Sequence, residues 1–178
     1  SITLPNTLEY IGASVFSDCT ALTEIKLPNN SLRSLGNSAF GGCTGIKHFH
    51  IPGTVWSMHN SFSGCTGIET ITVDWMSTYY RAEDGILYNL DKSEILFVYS
   101  LDGTTLTIPK TARNIQSSAL DLCTELERFE CEEGSTYYTA ADGVLYANTS
   151  QGKMLAMAPK KLAGKLVVPD DVTIVRQN

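Results

Sequence analysis

One tetrapeptide, Cys-Thr-x-(Leu/Ile), recurs four times along this chain: Cys19-Thr20-Ala21-Leu22, Cys43-Thr44-Gly45-Ile46, Cys65-Thr66-Gly67-Ile68 and Cys123-Thr124-Glu125-Leu126. A large apolar residue stands three places before each cysteine: Phe16, Phe40, Phe62 and Leu120. Three places after each Leu/Ile come Ile25, Phe49, Ile71 and Phe129, and two further on Leu27, Ile51, Val73 and Cys131. Phe16 and Phe40 are 24 residues apart and Phe40 and Phe62 are 22 apart, so the unit is about 23 residues long. A unit this short cannot bury its own apolar side. Neighbouring copies must stack and share a core, which is the definition of a solenoid.

The prolines mark the same period. Five close an apolar-x-apolar string: Ile2-Thr3-Leu4-Pro5, Ile25-Lys26-Leu27-Pro28, Phe49-His50-Ile51-Pro52, Leu106-Thr107-Ile108-Pro109 and Leu166-Val167-Val168-Pro169. Proline has no N–H to give a sheet ladder, so it ends a strand. Short parallel strands are therefore predicted near 2–4, 25–27, 49–51, 71–73, 106–108, 129–131 and 166–168, stacked in one sheet. After Pro28 the next apolar pair is displaced by one, to Leu32 and Leu35, which places an inserted residue there.

A second period overlays the first. Leu120 follows Phe62 by 58 residues, and two inserts match at that offset. Ser77-Thr78-Tyr79-Tyr80 answers Ser135-Thr136-Tyr137-Tyr138, and Asp84-Gly85-Ile86-Leu87-Tyr88 answers Asp142-Gly143-Val144-Leu145-Tyr146. Asp-Gly reads as a tight turn into a strand, because glycine takes positive φ without penalty. A calcium loop would need acidic ligands at alternating positions, which neither copy carries. The whole of 1–178 is read as a single solenoid cut inside a repeat at both ends, with short repeats over 1–73 and long, insert-bearing repeats over 74–178.

The string Ala39-Phe40-Gly41-Gly42-Cys43-Thr44-Gly45-Ile46, followed by Phe49-His50-Ile51-Pro52, resembles the BspA-like, or Treponema pallidum-type, leucine-rich repeat of bacterial surface proteins. The Asp-Gly-x-Leu-Tyr insert is similar to the long variant of that repeat in Bacteroidetes and Firmicutes. One departure is Leu120, where phenylalanine is usual, a swap of one apolar residue for another in the same role. The resemblance implies a mainly β repeat solenoid: a right-handed leucine-rich-repeat superhelix with one parallel sheet, short turns or 3-10 segments, and β-hairpin inserts. It also implies a secreted or cell-surface bacterial protein engaged in adhesion. The repeat motifs are scaffold residues and specify no ligand.

The chemistry-bearing residues point away from catalysis. Five cysteines cannot pair completely within the chain, and four of them occupy one repeat position, so they read as packed thiols. A zinc site would show closely paired cysteines. No nucleophile elbow, phosphate loop or His-Glu-x-x-His is present. The expectation is therefore no enzyme, no catalytic residue, no metal and no cofactor. A net charge of -6 opposes nucleic-acid binding, and no apolar run is long enough to span a membrane.

What remains is surface. Strand alternation points Glu24, Lys26, His48, His50, Thr70, Thr72, Thr105, Thr107, Arg128 and Glu130 outward, as a row that differs from coil to coil. Paired His48 and His50 read as solvent-facing rather than as metal ligands. This row is the candidate surface for a protein or cell-surface partner. A rival is a glycan patch formed by Tyr79, Tyr80, Tyr137 and Tyr138 in the inserts, whose rings can stack on sugars or else pack the inserts. A third reading is a structural spacer of a larger surface protein.

Overall fold

At four of the five apolar-x-apolar strings that meet a proline, the computed structural model, which describes residues 2–175, has short strands, and it has no helix among those residues. In chain order these are β1 (Ile2–Thr3), β2 (Tyr10–Ile11), β3 (Ile25–Lys26), β4 (Ser34–Leu35), β5 (His48–Ile51), β6 (Ser57–Met58), β7 (Thr70–Val73), β8 (Tyr80–Glu83), β9 (Ile86–Asn89) and β10 (Glu94–Val98). They continue with β11 (Thr105–Ile108), β12 (Asn114–Ile115), β13 (Arg128–Cys131), β14 (Tyr138–Ala141), β15 (Val144–Thr149), β16 (Gly152–Met157) and β17 (Val172–Val175). Two compact units result, one of residues 1–100 with 115–122, the other of 101–114 with 123–178.

In the first unit the predicted strands are parallel, as expected, but they hydrogen-bond two by two. β1 pairs with β3 and β5 with β7, and no ladder joins β3 to β5. The expected single sheet is thus opened at that step, next to the residue inserted after Pro28. A second parallel row, β2-β4-β6, runs through Ile11, Leu35 and Met58. None of the strands predicted from the proline strings covers these positions. Two residues per strand is too short for period-2 alternation to be visible.

The core between the rows is a stack of rings. Phe16 lies on Phe40 at 5.4 Å and 13°, and Phe40 on Phe62 at 6.4 Å and 15°. Phe49 wedges edge-on against Phe40 and Phe62 at 5.0 and 4.8 Å, within the favoured range for aromatic pairs. The repeat cysteines pack beside the rings and bond to the coil before. The Cys43 thiol donates to Phe16 C=O at 2.9 Å and the Cys65 thiol to Phe40 C=O at 2.8 Å. Burial in this apolar setting pushes the Cys43 thiol above its ordinary pKa and the Cys65 thiol up to about 12. All five cysteines are free thiols; Cys43, Cys65 and Cys123 are buried, while Cys19 and Cys131 are half-buried.

Glycine follows the cysteine motif where one Cys-Thr coil lies directly on the last. A Cβ at Gly67 would sit 1.9 Å from Thr44 C=O oxygen, and one at Gly45 2.4 Å from that of Thr20. No side chain fits such an approach. Glu125, in the same motif position, follows a coil separated from its predecessor by an insert, and it is exposed.

Each insert is a three-stranded antiparallel meander, one strand more than the hairpin expected. β8, β9 and β10 form the first and β14, β15 and β16 the second. The apolar runs after each hairpin supply the added strand. The Asp-Gly turns hold positive φ at both residues, 49° and 78° at Asp84-Gly85 and 50° and 77° at Asp142-Gly143, which matches the primed hairpin turn. Segment 115–122 returns to the first unit. There Gln116 Oε1 accepts from Asn60 N–H at 2.7 Å and Asp121 Oδ2 from Gly64 N–H at 2.8 Å.

In the second unit β11 and β13 are parallel and in register from Thr105↔Arg128 to Ile108↔Cys131. The strand expected at 166–168 does not form. Val167 and Val168 are exposed, and β17 instead pairs in parallel with β16. The string before Pro169 has no core to bury into, so its apolar pattern alone does not make a strand.

Candidate functional site

Alternation along the strands decides which side chains the first unit offers to solvent. In β5 the pattern is His48 out, Phe49 in, His50 out, Ile51 in; in β7 it is Thr70 out, Ile71 in, Thr72 out. Parallel register then sets His48 against Thr70 and His50 against Thr72. Each pair shares a hydrogen bond from ring Nδ1 to hydroxyl Oγ1, at 2.7 Å and 3.0 Å. Both imidazoles are exposed. Beside them Lys47 pairs with Glu69, which lowers the Glu69 carboxyl below its usual range. On β3 and the residue before it, Lys26 Nζ stands 3.8 Å from Glu24.

The break in the ladder between β3 and β5 turns this row into a groove. Its volume is about 630 Å³, and its walls include Glu24, Lys26, His48, His50, Thr70 and Thr72. Six of the ten outward residues marked in the sequence are therefore gathered in one place. A cation, an anion and two imidazoles line it, suited to ionic and hydrogen-bonded contacts. Among the described residues no cluster of three or more His, Cys, Asp or Glu is arranged to hold a metal ion.

The other four lie in the second unit. Thr107, Arg128 and Glu130 are exposed and Thr105 is half-buried. Arg128 Nε stands 3.4 Å from Glu130, and register sets Thr105 against Arg128 and Thr107 against Glu130.

The tyrosine patch is corrected in two of its members. Tyr80 and Tyr138 are buried, and their hydroxyls donate to Trp56 C=O at 3.2 Å and Arg113 C=O at 3.5 Å. Burial pushes the Tyr80 phenol up to about 12. They pack the inserts and have no face to give a sugar. Tyr137 is half-buried, edge-on to Tyr138 at 4.9 Å, and Tyr79 is exposed. The sequence reading passed over Trp75, which is 89 % exposed in the first insert. The available signal was the insert pair itself, since position 75 is tryptophan in one copy and its counterpart, Glu133, is glutamate in the other.

The chain matches the family described as BspA type leucine rich repeat region, in six copies over residues 1–95 and 89–146. Three solved structures are similar. The pneumococcal vaccine antigen PcpA is 25 % identical with a TM-score of 0.65, covering 75 % of this chain and 34 % of its own. A leucine rich cell surface protein of Faecalibacterium prausnitzii is 20 % identical with a TM-score of 0.52, covering 96 % and 48 %. A leucine-rich repeat protein of Eubacterium ventriosum is 17 % identical with a TM-score of 0.51, covering 97 % and 55 %. The chain thus spans between a third and just over half of the length of these structures. No curated protein matches it. Among the described residues no helix is long and apolar enough to cross a membrane.

Proposed function

The chain belongs to the BspA-type leucine-rich repeat family, and from that premise we propose that it is a bacterial surface or secreted recognition module that binds a protein partner through its strand face, with adhesion as the outcome. The single observation that supports this most is the groove at the β3–β5 break. The repeat consensus commits Phe40, Cys43, Ile46 and Phe49 to the core, where they pack against other buried residues and not against solvent. The residues left outside are charged, imidazole-bearing or hydroxyl-bearing, vary between coils, and converge where the ladder opens between β3 and β5. Solenoids present such rows as extended binding surfaces. The solved structures it resembles include a cell surface protein and a vaccine antigen, which supports an extracellular place for this chain. In the second unit Thr107, Arg128 and Glu130 are likewise polar and exposed on their strands.

The test is plate binding to immobilised fibronectin, laminin and type IV collagen and to intact epithelial cells. The Lys26→Ala/His48→Ala double variant should keep the wild-type melting temperature and lose at least tenfold in retention. Retention equal to wild type across variants of all six groove residues sinks the strand-face reading.

A further inference from the structure

The two inserts provide an internal control. Their backbones make the same bonds: Asp74 N–H to Ile51 C=O at 3.0 Å answers Glu132 N–H to Ile108 C=O at 3.0 Å, and Leu90 N–H to Tyr79 C=O at 2.8 Å answers Asn148 N–H to Tyr137 C=O at 2.7 Å. The tips differ. Trp75, Met76 and Leu90 of the first insert, 89 %, 66 % and 46 % exposed, face their counterparts Glu133, Gly134 and Asn148 in the second. The second copy folds the same way without them, so the scaffold does not require these apolar groups. A tryptophan held almost wholly in water, at a position its twin fills with glutamate, stabilises nothing in the fold, and exposed apolar groups of this kind mark binding sites.

Trp75 also borders a concavity. A groove of about 390 Å³ runs beside it, lined further by Thr72, Asp74, Ser77, Arg81 and Leu90. Asp74 uses Oδ1 to accept from Met76 N–H at 2.9 Å, and Arg81 sets its Nε 3.4 Å from Glu83. The Asp74 Oδ2 and the Arg81 Nη groups are the parts of these side chains not taken up by those contacts. An aromatic face beside one carboxylate and one guanidinium is a mixed surface. Protein hot spots also favour tryptophan and arginine but are depleted in carboxylates such as that of Asp74. A pyranose ring has an apolar C–H face and a rim of hydroxyls that both donate and accept, and it matches this mixture. The two charges balance, so the site selects no net charge on its ligand.

We propose that the groove beside Trp75 binds a neutral sugar ring, with Trp75 as the stacking platform and Asp74 and Arg81 as the hydroxyl contacts. The site adjoins the β3–β5 groove, sharing Thr72 with it, but uses none of that groove's charged or imidazole groups. Because the chain has two tryptophans, Trp56→Phe leaves Trp75 as the sole tryptophan reporter. The experiment titrates that variant with cellohexaose, chitohexaose and mannohexaose while following emission and acrylamide quenching. At least one should shift the emission to shorter wavelength and reduce quenching at least twofold. In the otherwise wild-type chain, Trp75→Ala should lower retention on a gel cast with the matching polysaccharide at least tenfold without moving the melting temperature. Lys26→Ala/His48→Ala should leave that retention unchanged, which separates this site from the strand face. The proposal is overturned if no hexasaccharide alters Trp75 emission, if Trp75→Ala retains the polysaccharide as wild type does, or if Trp75→Ala abolishes binding of a protein partner while the hexasaccharides have no effect.

Discussion

Replacing Phe40 with alanine tests whether the ring stack holds the first unit together. Phe40 is fully buried and touches three other rings, with centroids 5.4, 6.4 and 5.0 Å away. Truncating a buried phenylalanine costs about 3–5 kcal/mol, from lost transfer energy and the cavity left behind. Aromatic pairs add roughly 0.5–1.5 kcal/mol each beyond burial, and Phe40 belongs to three of them, so its cost belongs at the upper end. For a chain of this size that lowers the melting temperature on the order of 10 °C. Urea unfolding followed by circular dichroism at equilibrium measures it. Val15→Ala, at a site 56 % exposed, is the control and should fall within about ±0.5 kcal/mol. Phe40→Leu should cost less than Phe40→Ala, as the leucine at position 120 suggests. A Phe40→Ala loss under about 1.5 kcal/mol, close to the control, would show that the stacked rings are not the core.

Four further outcomes follow from the same packing. Gly67→Ala should destabilise by at least roughly 1–3 kcal/mol in urea unfolding, since its Cβ falls 1.9 Å from Thr44 oxygen, whereas Gly103→Ala, with open space around the new Cβ, isolates the strain of positive φ alone. A thiol reagent at pH 8 should label Cys43 and Cys65 far more slowly in the native chain than in denaturant, because the thiolate is the reacting form and burial disfavours it; equal rates would overturn the assigned register. Stability should be level from about pH 6 to about pH 9 and fall between about 9 and 12. Cys65 rises from 9.0 to about 12 on folding and Tyr80 from 10.0 to about 12, so the native state holds protons the unfolded chain releases, and that stability is lost as pH climbs through the folded values. Lys26→Ala/His48→Ala should shift the unfolding free energy by no more than about 0.5 kcal/mol, and a larger loss in calorimetry would mean these side chains serve the fold.

What the sequence made legible is whatever is repeated. Phe16, Phe40 and Phe62 announced their stack because the same residue stands at the same place in adjoining coils. Cys43 and Cys65 announced their burial in the same way. The first parallel row was readable because β1, β3 and β5 run into proline and β7 repeats their apolar spacing. The second row was hidden, since Tyr10–Ile11, Ser34–Leu35 and Ser57–Met58 offer two residues each and no alternation. The strand at 166–168 was expected from the same proline signature and is missing, because Val167 and Val168 stay exposed. Side-chain direction along a strand follows from alternation, so Glu24, Lys26, His48 and His50 were correctly turned outward. The opening between β3 and β5 was not legible: an inserted residue after Pro28 can be absorbed by a bulge, a longer turn or a parted ladder, and only three dimensions distinguish them. Tyr80 and Tyr79 look alike in sequence. Tyr80 is buried as the first residue of β8, whereas Tyr79 precedes the strand.

The central claim is that the protein partner is bound by the groove face of the strands and not by the inserts. Amide hydrogen exchange of the first unit, measured with and without whichever of fibronectin, laminin or type IV collagen the plate assay retains, addresses it directly. The account predicts slowed exchange at residues 23–27, 47–51 and 69–73 with little change at 74–90. Slowing confined to 74–90, with the strands exchanging as in the free chain, contradicts it.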